Sequence, residues 1–279
     1  MAIDPESLGC ETPPIEYEYT WRDTVMYALG VGASVEQELD FLYEGRGPKV
    51  LPTFGTIPTF AAFDALVDRI GGDRRGMLHH SQEMRLFKPL RPNARLSVLG
   101  RVSALYDLKR VAMSVLSIDA YDEGDELIIR GEVTLLLRND GGFGGKRPPK
   151  TERVKAPERR PDFEVREQVA PTQALLYRLS GDYNPLHADP EFAARAGFER
   201  PVLHGLCTYG YAGRAVLHHA CAGDPGRLAT LRSQFSNPVY PGETMVIRGW
   251  NEMERVILSV TTEERPEEPC LSNAYALLR

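Results

Sequence analysis

The chain repeats itself. "YALGVGA" around Tyr27 returns as "YRLSGDY" around Tyr177, so Tyr27 and Leu29 match Tyr177 and Leu179 at an offset of 150 residues. The same offset separates Phe54 and Gly55 of "LPTFGTIPTF" from His204 and Gly205 of "PVLHGLCTYG". "KPLRPNARLSV" then resembles "NPVYPGETMVI", with Pro89 and Pro238 offset by 149. Chance could supply any one of these short matches, but three in one order at nearly one spacing indicate a duplicated unit. A chain of 279 residues built this way is expected to fold as two related halves around a sizeable core.

Each unit reads as a helix followed by a sheet. In the first, Phe60, Phe63, Val67 and Ile70 recur at helical spacing and Gly71-Gly72 ends the helix. In the second, the stretch from Leu206 to Ala222 sets Gly210, Ala212, Gly213 and Ala215 among larger apolar residues, small positions at which a sheet can approach closely. β-type runs follow each helix: "RLSVLGRVSALY", "RVAMSVLSIDAY" and "ELIIRGEVTLLLR", then "ETMVIRGW", "RVILSVTTE" and "CLSNAYALLR", separated by turn-forming stretches such as "DEGDE" and "ERPEEP". This order predicts an α+β protein, with an antiparallel sheet wrapped round a central helix in each half. Residues 138–162, rich in Gly, Pro and charge, are the expected linker between an N-terminal half (1–137) and a C-terminal half (163–279).

Composition removes several classes of function. With 33 basic and 39 acidic residues the net charge is −6, and no run of Lys and Arg makes a nucleic-acid footprint, so a DNA or RNA partner is not expected. Cys10, Cys207, Cys221 and Cys270 form no CxxC pair and the N-terminus lacks a basic region followed by an apolar core, as expected in a reducing compartment. No apolar stretch approaches the ~20 residues of a membrane span. The chain ends in "ALLR" rather than a Ser-Lys-Leu type address, and a stand-alone cytoplasmic protein, assembled as a homodimer, is the expectation.

The densest chemistry lies in "SGDYNPLHADPEFAARAGFERPVLHG", Ser180 to Gly205. Asp189 has a structural explanation: with Pro190 at the first position and Gly197 as a stop, it caps a helix. Turn chemistry would account for Gly181, Asn184 and Pro185 but leaves His187 unexplained. An EF-hand is excluded because Leu186 and His187 occupy its fifth and sixth positions and Ala193 its twelfth. Zinc is not expected without a third soft ligand nearby. What remains is a carboxylate and an imidazole, Asp182 and His187, converging on one water. The duplication tests this internally: 150 residues earlier, Asp182 falls on Gly32 and His187 on Gln37, while Gly205 falls on Gly55. The scaffold glycine is matched and the acid/base pair is not, which favours function over structure. Gly205 itself reads two ways: as a glycine for tight helix entry, or as a backbone N–H that receives a carbonyl oxygen gaining negative charge.

These residues carry a resemblance. "YRLSGDYNPLHADPEFAARAGFERPVLHGLCTYGYAGR" resembles the signature of the MaoC-like hydratases of the hydratase 2 type, (R)-specific 2-enoyl-CoA hydratases. "FLYEG", "LFKPL", "GGFGGKR", "FSNPVYPGET" and "LSNAYALL" resemble that family in the same order along nearly the whole chain. The resemblance implies a double hot dog fold. It also implies that Asp182 and His187 hold the reacting water, that Asn184 orients them, that the Gly205 N–H binds the thioester oxygen and that Phe235 lies beside the bound acyl-CoA. The family's L-H-G-E-Q pattern appears as Leu78-His79-His80-Ser81-Gln82, so His79 and His80 are expected at the substrate and His80 stands where the family has glycine. Lys109 or Arg110 lies near the family's basic contact to the CoA portion.

The implied reaction is syn addition of water to a trans-2-enoyl thioester of medium to long or bulky acyl chains, with no metal or redox cofactor required. Which of Asp182 and His187 takes the proton from water is open at this level. A hot-dog thioesterase would hold the same acyl-CoA thioester under a helix N-terminus but cleave it. A non-catalytic acyl-CoA-binding subunit would not need the pair at all.

Overall fold

The computed structural model describes residues 3–150 and 153–279, so Thr151 and Glu152 of the expected linker lie outside the described residues. Strand β1 (Ile15–Tyr19) leads into helices α1 (Trp21–Gly30), α2 (Val35–Leu42) and α3 (Thr56–Ile70), then β2 (Met77–Leu86), β3 (Ala94–Asp107), β4 (Ala112–Tyr121) and β5 (Leu127–Leu137). The second half repeats the plan: β6 (Phe163–Gln168), α4 (Gln173–Tyr177), α5 (Pro190–Arg195), α6 (Gly205–His219), then β7 (Leu228–Phe235), β8 (Thr244–Asn251), β9 (Val256–Thr262) and β10 (Leu271–Leu278). Gly71 closes α3 in the left-handed region at φ 68°, the conformation glycine tolerates best.

The two expected sheets are halves of one antiparallel sheet of ten strands, ordered β1-β3-β4-β5-β2-β7-β10-β9-β8-β6. They join because the strand following each central helix pairs with its counterpart: Ser81 faces Gln234, Gln82 faces Ser233, and the ladder runs to Arg85 opposite Thr230. Pairing these two edges removes the unpaired backbone groups that two separate sheets would leave exposed. The outer edges fall to β1 and β6, whose short "IEYEY" and "FEVREQ" alternate apolar residues with charge.

The central helices α3 and α6 pack against this sheet. Ala62 and Leu66 of α3 lie so close to Gly100 of β3 that a Cβ there would sit 2.9 Å from the Ala62 methyl. The small residues of α6 serve a different purpose from the expected one. Side chains at Gly210 and Gly213 would collide with Val31 and Thr53 of the first half, so these glycines admit the other half of the chain as well as the sheet. On its sheet side α6 is anchored by the Tyr209 hydroxyl, which donates to the Leu231 carbonyl at 2.6 Å.

A buried ionic cluster locks the halves together. Arg214 of α6 makes a two-pronged pair with Glu38 of α2 at 2.7 and 2.6 Å, reaches Glu167 of β6 at 2.6 Å and donates to the Val31 carbonyl. The Glu38 side chain is fully buried and Arg214 is 4% exposed. Burial alone would raise the Glu38 pKa, but hydrogen bonds from His218 and Arg214 outweigh it and hold the carboxyl at about 2. A carboxyl depressed in this way stabilises the fold above its ordinary value near 4.5, and that contribution is lost as pH falls towards 2. Glu38→Gln, which leaves Arg214 short of its main partner, is expected to cost about 3 kcal/mol in urea unfolding at pH 7. The difference from the unsubstituted chain should shrink below pH 4.5.

Candidate active site

The Ser180–Gly205 stretch folds as a short helical turn, Pro185–His187, and α5 ahead of α6. Gly181 adopts φ 122°, and the chain then turns on its own side chains: the Asn184 N–H donates to Asp182 Oδ1 at 3.2 Å, and Asn184 Oδ1 accepts the Leu186 N–H at 3.0 Å. Asn184 thus shapes the turn that carries His187. Asp189 caps α5, accepting from the N–H groups of Glu191 and Phe192. The loop is fixed at its far end by His187 Nδ1, 2.8 Å from the Val202 carbonyl.

Asp182 and His187 are brought together, and with them comes a residue not singled out as a site member from sequence. One ligating atom each of Asp182, His187 and His204 lies within 4.8 Å of the others. His204, 1% exposed, stacks on His187 with ring centroids 3.7 Å apart and planes at 26°. Its Nε2 lies 3.1 Å from the Asp182 backbone carbonyl. The available signal was its place directly before Gly205, which makes it the N-cap of α6. The fold therefore supplies the third ligand whose absence argued against zinc. His187 Nδ1 and His204 Nε2 are already engaged with backbone carbonyls, which leaves one nitrogen on each ring uncommitted.

Hydrogen bonding fixes the tautomers. A carbonyl only accepts, so His187 Nδ1 and His204 Nε2 carry the protons. Burial, the largest effect, lowers the His187 pKa; Asp182 and the bond to Val202 oppose it, while Arg178 adds to it. Burial first, then His187, pushes His204 down to about 2. Both rings are neutral near pH 7, which leaves a lone pair on His187 Nε2.

Gly205 is exposed at the first position of α6, where its N–H has no intrahelical partner. A Cβ at this position would lie 2.9 Å from Phe235 of β7, so tight packing and an open N–H coincide. Phe235 meets His79 of β2 edge-on at 4.8 Å, and His79 lies 6.4 Å from Phe63, which stacks on Phe60 at 4.7 Å. This series of rings runs from the start of α6 to the first-half helix. Burial drives the His79 pKa down to about 4.

His80 does not join the series. The β2–β5 register shifts between His79 and Ser81, so His80 is the extra residue of a bulge, and it feels the charge of Arg153. Lys109 occupies the tip of the β3–β4 hairpin at φ 76°. Asp107 accepts N–H groups from Lys109, Gly142 and Gly144, strapping "GGFGGKR" to that tip. Ala112 and Met77 both face Leu137, so the tip and the start of β2 share one end of the sheet. No hydrogen bond or ion pair among the described residues links Lys109 to the Asp182 loop.

The chain is similar to known proteins over nearly its whole length. Residues 152–267 match the MaoC like domain and residues 17–139 the MFE-2 hydratase 2 N-terminal domain. The chain is 39% identical over 278 residues to a peroxisomal enoyl-CoA hydratase 2 of Arabidopsis thaliana, covering 92% of this chain and 90% of that protein. It is 42% identical over 260 residues to the 3-hydroxyacyl-thioester dehydratase Y of Mycobacterium tuberculosis, covering 90% and 88%. The mouse peroxisomal multifunctional enzyme type 2 is 38% identical, and the chain spans 38% of its length. A MaoC-like dehydratase from Phytophthora capsici superposes with a TM-score of 0.89 at 29% identity, over 99% of this chain and 98% of that one. No helix among the described residues is long and apolar enough to cross a membrane.

The electrostatics of the pair can be read without any substrate. His187 is expected to titrate below the ordinary histidine value in an imidazole NMR titration. Asp182→Asn removes the carboxylate that favours the charged ring, so it should lower the His187 pKa further; an increase would contradict the arrangement described.

Proposed function

The chain belongs to the MaoC-like, hydratase 2 family of enoyl-CoA hydratases, and from that membership we propose that it adds water across trans-2-enoyl-CoA thioesters to give (3R)-3-hydroxyacyl-CoA, and removes it in reverse. The observation that carries the proposal is a neutral imidazole with a free Nε2 beside a carboxylate, next to the helix start where Gly205 is exposed.

The thioester carbonyl oxygen accepts the Gly205 N–H, and polarisation of the carbonyl makes C3 electrophilic. Water held between Asp182 and His187 loses a proton to His187 Nε2 as its oxygen bonds to C3. The electron pair of the double bond moves towards the carbonyl, and the enolate charge gathers on the oxygen at the helix N-terminus. The imidazolium, stabilised by the Asp182 carboxylate, then returns its proton to C2 on the same face. One water has been added syn and the catalytic groups are restored. Asn184 acts earlier, through the turn that sets Asp182 and His187 at their separation.

The first half serves the acyl tail. At Gly55, the counterpart of Gly205, a Cβ would meet Met84, Leu86 and Ile129; Gly55 is buried whereas Gly205 is exposed. The ring series Phe235, His79, Phe63 and Phe60 gives the tail an apolar course away from the reacting carbons. This supports one site per chain and a preference for medium to long enoyl chains, with each buried CH₂ contributing at most about 0.8 kcal/mol.

Asp182→Asn and His187→Ala should each lower kcat by two or more orders of magnitude, the scale of a positioned acid or base, with the circular dichroism spectrum unchanged. Coupling the product to an (S)-specific 3-hydroxyacyl-CoA dehydrogenase should yield no NADH. A folded variant with wild-type turnover, or strong NADH formation, would overturn the reading. Phe60→Ala should flatten the rise of kcat/KM across a chain-length series while leaving crotonyl-CoA turnover within about threefold. Equal loss on every substrate, accompanied by a lower melting temperature, would show that Phe60 is simply core.

A further inference from the structure

We infer that His204 is a positioning residue for this reaction, an imidazole whose Nε2–H holds the main chain of Asp182 against the helix that presents the Gly205 N–H. The inference rests on the hydratase reading of the Asp182–His187 site and assigns the one buried side chain of the cluster that this reading leaves without a task.

Two contacts and a place in the chain tie His204 to the site. Its Nε2 meets the Asp182 carbonyl at 3.1 Å, its face lies against His187, and its own peptide leads directly into Gly205 at the start of α6. The loop is tied elsewhere at Tyr183 and His187, and His204 adds the bond at Asp182. Gly181, Tyr183, Asn184 and Pro185 are all exposed; Arg178 donates to the Tyr183 carbonyl and His187 holds the far end at Val202, while the turn bonds at Asp182 itself run only two residues along the chain. The His204 bond spans 22 residues and joins the element carrying the acid/base pair to the element carrying the polarising N–H. The distance between those two elements decides whether water can reach C3 while the thioester oxygen occupies its donor, and an error near 1 Å costs about a hundredfold in rate.

The duplication separates this role from packing. Phe54 stands at the matching position of the first half, 1% exposed. It meets Tyr27 at 5.6 Å as His204 meets Tyr177 at 4.9 Å. An aromatic ring alone therefore satisfies the fold where there is no Asp182 loop to hold. What the second half adds is a ring nitrogen that donates. Burial, followed by the neighbouring His187, keeps the ring neutral, which preserves the donating tautomer and places no second positive charge beside His187 when it takes the proton from water.

His204→Phe copies the first-half residue and removes only the donor; His204→Gln restores a donor near the place of Nε2 but gives up the stack. In the full chain with crotonyl-CoA, His204→Phe should keep its melting temperature and its KM within about threefold, while kcat falls roughly ten- to hundredfold. His204→Gln should melt lower yet turn over at least about threefold faster than His204→Phe. That crossing of stability and activity is not expected of a residue that only packs. Wild-type kcat in folded His204→Phe, or the same rank order in melting and in turnover, would overturn the assignment. Imidazole ¹⁵N NMR of the unsubstituted protein tests it without catalysis: a neutral Nε2–H tautomer is expected throughout pH 5–8, and a proton on Nδ1 would refute it. Absence of hydration by the unsubstituted protein would count against the hydratase reading alone, because the tautomer is read independently.

Discussion

The ladder between β2 and β7 is the contact on which the rest of the structure depends. Each half alone would end at a strand with a free edge, and pairing Ser81–Arg85 with Thr230–Gln234 turns two edges into the centre of one sheet. The same register puts His79 against Phe235, and Phe235 against Gly205, so the joint that completes the fold also forms one wall of the site. On the helical side the Glu38–Arg214 pair performs the equivalent task. A buried pair of this kind contributes little net stability over an apolar substitute; its value lies in admitting one arrangement of α2, α6 and β6.

Around this symmetric frame the two halves have diverged in a consistent way. Both keep a glycine at the entry of the central helix with a neighbour 2.9 Å from its missing Cβ, Met84 in one and Phe235 in the other. Gly55 is buried and Gly205 is open. At Gly32, the counterpart of Asp182, φ is +81° and a side chain would strike the Tyr211 ring, so that position no longer accommodates an aspartate. The half without catalytic groups still supplies Val31 and Thr53 to seat α6 and a run of aromatic rings beside the site. Its retention is a consequence of packing and of the space it lines.

Much of this was legible in the sequence, for physical reasons that differ by element. The central helices and six of the strands, β3, β4, β5, β8, β9 and β10, are visible because their apolar residues follow a clear period, and the duplication indicates the α+β plan. Strand β2, "MLHHSQEMRL", was hidden because its centre is polar and a bulge at His80 breaks its alternation; β7, and the short charged edges β1 and β6, escaped similarly. The missed strands are the ones that set the joint and the borders, which local pattern does not encode. The Asp182–Asn184–His187 grouping was legible because turn chemistry could not explain a histidine. His204 was in view as the neighbour of Gly205, but its contact with Asp182 spans 22 residues and exists only once α6 is seated. The small size of Gly210 and Gly213 suggests only a sheet close by, and that they also admit Val31 and Thr53 of the other half is apparent only with both halves in place.

The central claim is that this site adds water to an enoyl thioester and leaves the thioester intact, although a hot-dog protein holding the same ligand could instead cleave it. Following the loss of enoyl-thioester absorbance with purified protein, while titrating free CoA thiol in the same sample, separates these chemistries in a single measurement. The account predicts that absorbance falls to the hydration equilibrium with no thiol released. Thiol appearing in step with the absorbance loss, or no change in either signal, would contradict it.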